Sequence, residues 1–341
     1  MTMKNHFAIA LTIGIALLLL GCLERKEHIT VKADATVVIQ ADFSTDSINE
    51  LLEGDALPSI QAGWLAEDSV EEDDKGKKTF RISALAIFPP NVELPRNYAA
   101  FDDMNPDLYL QFPTTLKIEQ RDDGTYYHFH RKYERRSWAN LETLKKQLLN
   151  DPLKELEGKG IEDLAKNDRS KLLKAFVDFE SAKLITFARK AFLEVLPDLP
   201  QDSWLNVHQS MNQFKNEVNY DRLLTLMEIP DKEERDEAIE EEAEQWELAT
   251  INRLRKALRE HCYLGGSQIK TFMQRYNWHS RYYKITEDLG DDTFEITVEM
   301  PGQIVASNAD SVKGNEATWK FDGTQIRDRD LELMVTSRLF Q

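Results

Sequence analysis

A change of hydrophobic period, made twice, divides this chain into three and limits what it can fold into. Up to Glu134 the structured stretches alternate apolar and polar residues, the two-residue period of half-buried strands. From Trp138 the apolar positions fall at helical spacing, and from Tyr282 the period returns to two. Strands at both ends and helices between them predict an α+β fold. One antiparallel β-rich domain, from residues 22–138 and 282–341, would be interrupted by an all-helical insertion over 139–281.

Within the first part, Leu23 to Glu27 reads as a short charged tether and His28 to Phe43 as one strand. Ser47 and Glu50 have the spacing of a capping box for a short helix near Asp46 to Glu53. The charged run in Ala66 to Lys78 reads as a solvated loop, and Thr79 to Phe88 as a strand ended by Pro89-Pro90. Asn91 to Pro113 reads as irregular, anchored by Tyr98, Phe101, Tyr109 and Phe112. Thr114 to Glu134 is a hairpin around Asp122-Asp123-Gly124.

In the helical part, Asn140 is a plausible N-cap ahead of Leu141, Leu144 and Leu148. Helices are predicted over Lys171 to Leu196, Trp204 to Met227 and Asp231 to Cys262, the last ending at Gly265-Gly266. Ser267 would cap a further helix bearing Ile269, Phe272, Met273, Tyr276 and Tyr283. Beyond it, Tyr282 to Thr286 and Thr293 to Met300 read as a second hairpin around Gly290-Asp291-Asp292. Strands follow at Ile304 to Ala306, Ala317 to Phe321 and Leu331 to Ser337.

The formal net charge of −17 opposes binding to nucleic acid and gives no attraction to anionic lipid headgroups. There are two cysteines, Cys22 and Cys262. They form no disulfide framework, and Cys262 has no partner if Cys22 is modified.

Cys22 closes the N-terminal signal. Lys4 gives a positive start, Phe7 to Leu20 is an unbroken apolar run, and Gly21 is a small residue before a cleavage point. The run spans roughly 21 Å as a helix, short of the ~30 Å hydrocarbon core of a bilayer. A conventional signal peptide, or a buried first helix, would share these features. Leu19-Leu20-Gly21-Cys22 resembles the lipobox of bacterial lipoproteins. That resemblance implies a signal peptide over 1–21, cleavage between Gly21 and Cys22, and diacylglycerol and palmitate on Cys22. In Gram-negative lipoproteins an Asp after the cysteine marks retention at the inner membrane, so Leu23 implies the outer membrane.

Met300-Pro301-Gly302, Asn308-Ala309, Gly314-Asn315 and Thr318-Trp319 resemble the closing motif of LppM-type lipoprotein domains. The resemblance implies an α+β sheet domain in the cell envelope and carries no catalytic residues. Read from the residues alone, Gly302 and Gly314 serve turns, Asn308 and Asn315 tight backbone conformations, and Trp319 burial.

Candidate chemistry is sparse. His128 and His130 share one face of a strand, a spacing at which two imidazoles could bind one metal, with Glu134 as a third ligand. Alternatively they decorate a polar sheet face. Glu180 falls on the apolar stripe of its helix, where a carboxylate needs a cation, expected from a neighbouring helix. His261 and Cys262 are adjacent in a helix and diverge by ~100°, so they read as core residues. The acidic run Glu233 to Glu247 reads as a solvated helix face. The sequence holds no P-loop, dinucleotide fingerprint, GxSxG, HExxH or paired CxxC.

The expectation is a non-enzymatic envelope lipoprotein at the cell membrane or outer membrane. Acyl chains would hold it there, it would have a protein or lipid partner, and it would carry no cofactor. A carrier of a lipid or other apolar ligand is the alternative, and a metal-dependent hydrolase at His128 and His130 a second.

Overall fold

The computed structural model describes residues 23–74, 76–136, 143–148, 164–213, 218–229, 231–327 and 329–340. Gly21, Cys22 and the Asn140 cap lie outside them. Beyond residue 20 the chain groups into two compact units, Ala139–Arg281 and a second made of Gly21–Trp138 with Tyr282–Gln341. The fold is α+β.

The second unit holds two sheets. The larger uses β1 (Glu24–Val31), β2 (Val37–Thr45), β3 (Leu65–Glu72), β4 (Lys78–Phe88), β7 (Thr293–Glu299), β9 (Ser311–Lys313) and β10 (Glu316–Asp322). Their order is β3-β4-β2-β1-β7-β10-β9. The smaller sheet runs β5-β6-β11-β8, from β5 (Thr114–Arg121), β6 (Gly124–Tyr133), β8 (Gln303–Ser307) and β11 (Leu331–Leu339). Every neighbouring pair is antiparallel except β1 with β7, which run parallel.

Three readings of the first part change. His28 to Phe43 is two strands, because residues 32–36 form a turn. Lys32 N donates to Thr36 O, Asp34 accepts from Thr36 N, and Ala35 is left-handed at φ 69°. That turn has no Gly or Pro, so the two runs look continuous. The tether at Leu23 to Glu27 is the start of β1, where Leu23, Arg25 and Glu27 alternate inward with Ile29 and Val31. The solvated loop at Ala66 to Lys78 is largely edge strand β3. Its acids are solvated on both faces, so no apolar face marks it. Of the four aromatic anchors, Tyr98, Tyr109 and Phe112 are buried, whereas Phe101 is 85% exposed.

The short helix α1 (Ile48–Glu53) is present with Ser47 at its N-cap, but the Ser47 side chain makes no capping bond. Ser47 N donates instead to Thr45 Oγ1.

Aromatic rings fill the space between the sheets. The Tyr133 ring centre lies 5.9 Å from those of Phe112 and Phe294 and 5.2 Å from that of Phe321. Among them runs a buried ion pair, Arg131 Nη1 of β6 to Glu27 Oε2 of β1 at 2.6 Å. Arg131 Nε also donates to Thr114 Oγ1 at 2.9 Å. Two desolvated charges do not by themselves favour folding, but removing one would leave the other stranded in the core.

The residues of the closing motif join the strands of the last segment. Trp319 Nε1 in the larger sheet donates to Asn308 Oδ1 at the end of β8 in the smaller one, 3.0 Å away. Asn308 also donates to Glu332 O, and Asn315 Nδ2 to Met300 O. Neither asparagine has a positive φ, so their side chains rather than their backbones do this work. Gly302 does need its freedom. Its φ is 84°, and a Cβ there would lie 2.4 Å from Arg338 O.

The helical unit contains α2 (Lys166–Val195), α3 (Gln201–Asn212), α4 (Tyr220–Leu226), α5 (Lys232–Cys262) and the first part of α6 (Gly266–Asp288). Leu173, Phe176, Val177, Leu184, Phe187 and Ala188 of α2 are buried, as their spacing predicts. The helix expected over Trp204 to Met227 is two, α3 and α4. Asp231 caps α5 by accepting from Glu234 N, and α5 ends in a left-handed Tyr263 rather than at the glycine pair. Ser267 lies inside α6, while Gln268 Oε1 accepts from Gly265 N.

The second hairpin loses its first strand, because Tyr282 to Thr286 is the end of α6. Phe272, Tyr276, His279, Tyr283 and Thr286 are all buried and spaced by three and four residues, a helical run too short at its end to tell from alternation. Strand β7 pairs with β1 and β10 instead.

Candidate functional site

The chemistry gathers where β1 begins. Leu23 is 2% exposed, and its carbonyl accepts from Thr293 N at 3.1 Å. Arg25, the next inward residue, lies between Asp55 at 3.1 Å and Asp292 at 2.7 Å. Its guanidinium covers the rings of Phe294 and Phe43, with centroids at 5.3 and 5.7 Å. Asp55 in turn accepts from Leu110 N. One cation thus ties two chain segments to the start of β1, and Asp55 ties in a third.

Around this knot the carboxylates are crowded. Burial, with the charge of Asp292 behind it, pushes Glu50 of α1 up to about 7. Burial also holds Asp288 well above the usual carboxylate range. A groove of about 450 Å³ crosses the sheet here, edged by Glu24, Lys26, Glu295 and Lys320. The sequence did contain the signal for Arg25 and Glu27. Both are in phase with Ile29 and Val31, but reading Leu23 to Glu27 as a tether set that phase aside.

His128 and His130 lie on the same face of β6 and lean in opposite directions. His128 Nε2 faces Glu119 of β5 at 3.6 Å, and its Nδ1 meets Thr336 Oγ1 at 3.0 Å. His130 Nε2 faces Glu332 of β11 at 3.6 Å. Glu119 is opposite Tyr126 and Glu332 opposite Lys132, so the two carboxylates lie beyond either end of the histidine pair. Among the described residues no three His, Cys, Asp or Glu side chains are grouped to hold a metal.

Glu180 is buried and is paired with a cation of its own helix, Lys183 Nζ at 2.9 Å. Cys262 is buried, which pushes its thiol pKa up, and His261 Nε2 lies 3.3 Å from Ser210 Oγ. The two are not brought together.

A second groove, of about 640 Å³, is open to solvent beside Trp64 and edged by Ile60, Leu65 and Leu85. Among the described residues no helix is long and apolar enough to cross a membrane.

No protein-family model matches the chain, and no curated protein matches it. Among solved structures it is similar to the folded domain of LppM from Mycobacterium tuberculosis, determined by NMR. The match has 9% sequence identity and a TM-score of 0.29 and covers 94% of this chain and 92% of that one.

Proposed function

We propose that this protein is a non-enzymatic cell-envelope lipoprotein. Acyl chains on Cys22 hold it to a membrane, and it presents a binding or structural surface outside the cytoplasm. The observation that carries this reading is the sequence Leu19-Leu20-Gly21-Cys22 at the end of an apolar run too short to span a bilayer. Each buried methylene contributes ~0.8 kcal/mol, so two or three acyl chains anchor a folded domain without a spanning helix. The start of β1 at Glu24, two residues after Cys22, supports it, because cleavage before Cys22 leaves that strand whole. On the same reading the domain is of LppM type and the helical unit is an insertion in it. The bound partner is an envelope protein or lipid and not nucleic acid, which the acidic charge repels.

Labelled palmitate tests the anchor. Incorporation into wild type and none into Cys22→Ser, which should accumulate as uncut precursor, is the expected result. Equal labelling of both sinks the reading.

One feature favours a second reading, a carrier of an apolar ligand: the open groove edged by Ile60, Trp64 and Leu65. Mass spectrometry of the purified soluble domain would then find a lipid at one equivalent.

A further inference from the structure

We propose that α1 is a membrane contact: Ile48 and Leu52 rest in the headgroup region of the bilayer to which Cys22 is tethered. The inference rests on the lipoprotein reading and adds to it the face that the sheet unit turns to the membrane.

The argument starts from where the anchor is fixed. Leu23 is buried and hydrogen-bonded through its carbonyl to Thr293. Consecutive Cα atoms are ~3.8 Å apart, so an acyl chain on Cys22 is attached one residue from a fixed point of the fold. A chain with a flexible tether could present any surface to the bilayer. This one cannot.

The elements that share that end follow from the register. Glu24 pairs with Ser44, so β2 finishes where β1 begins, and α1 starts three residues after Thr45. Glu50 lies within electrostatic reach of Arg25 and Asp292, which keeps α1 beside the knot at the start of β1. Ile48 and Leu52 are four residues apart and so share one face of the helix. Ile48 is 44% exposed and Leu52 is 74% exposed. The far end of the same sheet, where Val31, Val37 and Phe88 are aligned, is ~23 Å away along the strands.

The charges at this end select the kind of membrane. Even with Glu50 and Asp288 protonated, Glu287, Asp291 and Asp292 match Arg25 and Lys284 around α1, so there is no basic excess to call for an anionic membrane and a zwitterionic surface suits it. The acyl chains supply the attachment, and the two side chains set the orientation.

Nitroxide labels test this on the full lipidated protein in phosphatidylcholine vesicles. A label is placed on Leu52→Cys, or on Ile48→Cys should the first fail to fold, with Cys262→Ala as background. Val92→Cys, in the turn after β4 at the far end, is the control. The label at 52 or 48 should show severalfold lower collision with a water-soluble nickel chelate, and higher collision with oxygen, than the label at 92. Intact mass shows in the same sample whether Cys22 is acylated. Acylated protein whose label at 52 or 48 is as wet as that at 92 overturns this inference alone. Membrane-bound protein with no acyl mass on Cys22 overturns the lipoprotein reading and this inference with it.

Discussion

Arg136 donates from Nη2 to the Tyr282 carbonyl at 3.1 Å, and its guanidinium lies 4.0 Å from the centre of the Tyr282 ring. The same side chain donates from Nε to Thr286 Oγ1 and from Nη2 to Leu108 O. Residues 136 and 282 flank the helical unit, 282 lying within α6. The chain therefore leaves the sheet unit and rejoins it at one place.

Replacing residues 139–281 with a short flexible linker should then leave a folded, β-rich remainder. Loop closure is inexpensive, ~0.6 kcal/mol for each doubling of length, so the linker itself should not decide the outcome. Circular dichroism with a strand spectrum and a cooperative melt is expected. A remainder with a coil spectrum would show that the sheets depend on the helices.

The pair of Glu27 and Arg131 gives an asymmetric prediction. Arg131→Met strands the Glu27 carboxylate in the core and should lower stability by about 3–5 kcal/mol. Adding Glu27→Leu should recover most of that loss, because two apolar side chains can replace the desolvated pair. Urea midpoints of the single and double variants measure the difference.

Glu50 and Asp288 make stability depend on pH. Burial raises both above their ordinary values of 4.5 and 3.8, Glu50 to about 7. Each therefore binds its proton more tightly in the folded protein than in the unfolded chain. Each contribution is fully present below the unfolded value and is lost as pH rises through the folded one, which is about 7 for Glu50. The denaturation midpoint should be higher at pH about 5 than at pH about 8. Glu50→Gln, which keeps the side chain neutral throughout, should shrink that difference. A mutant with the same pH profile as wild type would assign the effect elsewhere.

Two glycines separate backbone strain from crowding. Gly314 has φ 62° with nothing near its missing Cβ, so Gly314→Ala should cost roughly 1–2 kcal/mol, the penalty of a left-handed alanine. Gly302 adds the close approach of Arg338 O, so Gly302→Ala should cost more and shift the melting temperature further.

His128 and His130 each face a carboxylate on a different neighbouring strand. Changing both to Ala should alter stability by less than ~1 kcal/mol. Elemental analysis should find the same metal content before and after. Stoichiometric zinc lost in the double variant would restore the hydrolase reading.

Much of the fold can be read in the sequence wherever one face is buried. The hairpin at Asp122-Asp123-Gly124 and the buried stripe of α2 announce themselves through period alone. What stays hidden has no such face. Strand β3 is charged on both sides, and the five residues between β1 and β2 turn without Gly or Pro. Arg25, Asp55 and Asp292 stay hidden for another reason. They come from segments 30 and 267 residues apart, and only the finished sheet brings them together.

The parallel pairing of β1 with β7 has a consequence for the order in which the chain can fold. The first strand leaves the ribosome early, yet one of its two edges is completed by Thr293–Glu299, from the last part of the chain. Until that segment arrives, β1 and β2 form a hairpin with an unpaired edge and an Arg25 that has no Asp292. On the lipoprotein reading the chain is exported, and this delay would then serve it: a chain still open while it is being made can be threaded, and would close once its final strands have crossed.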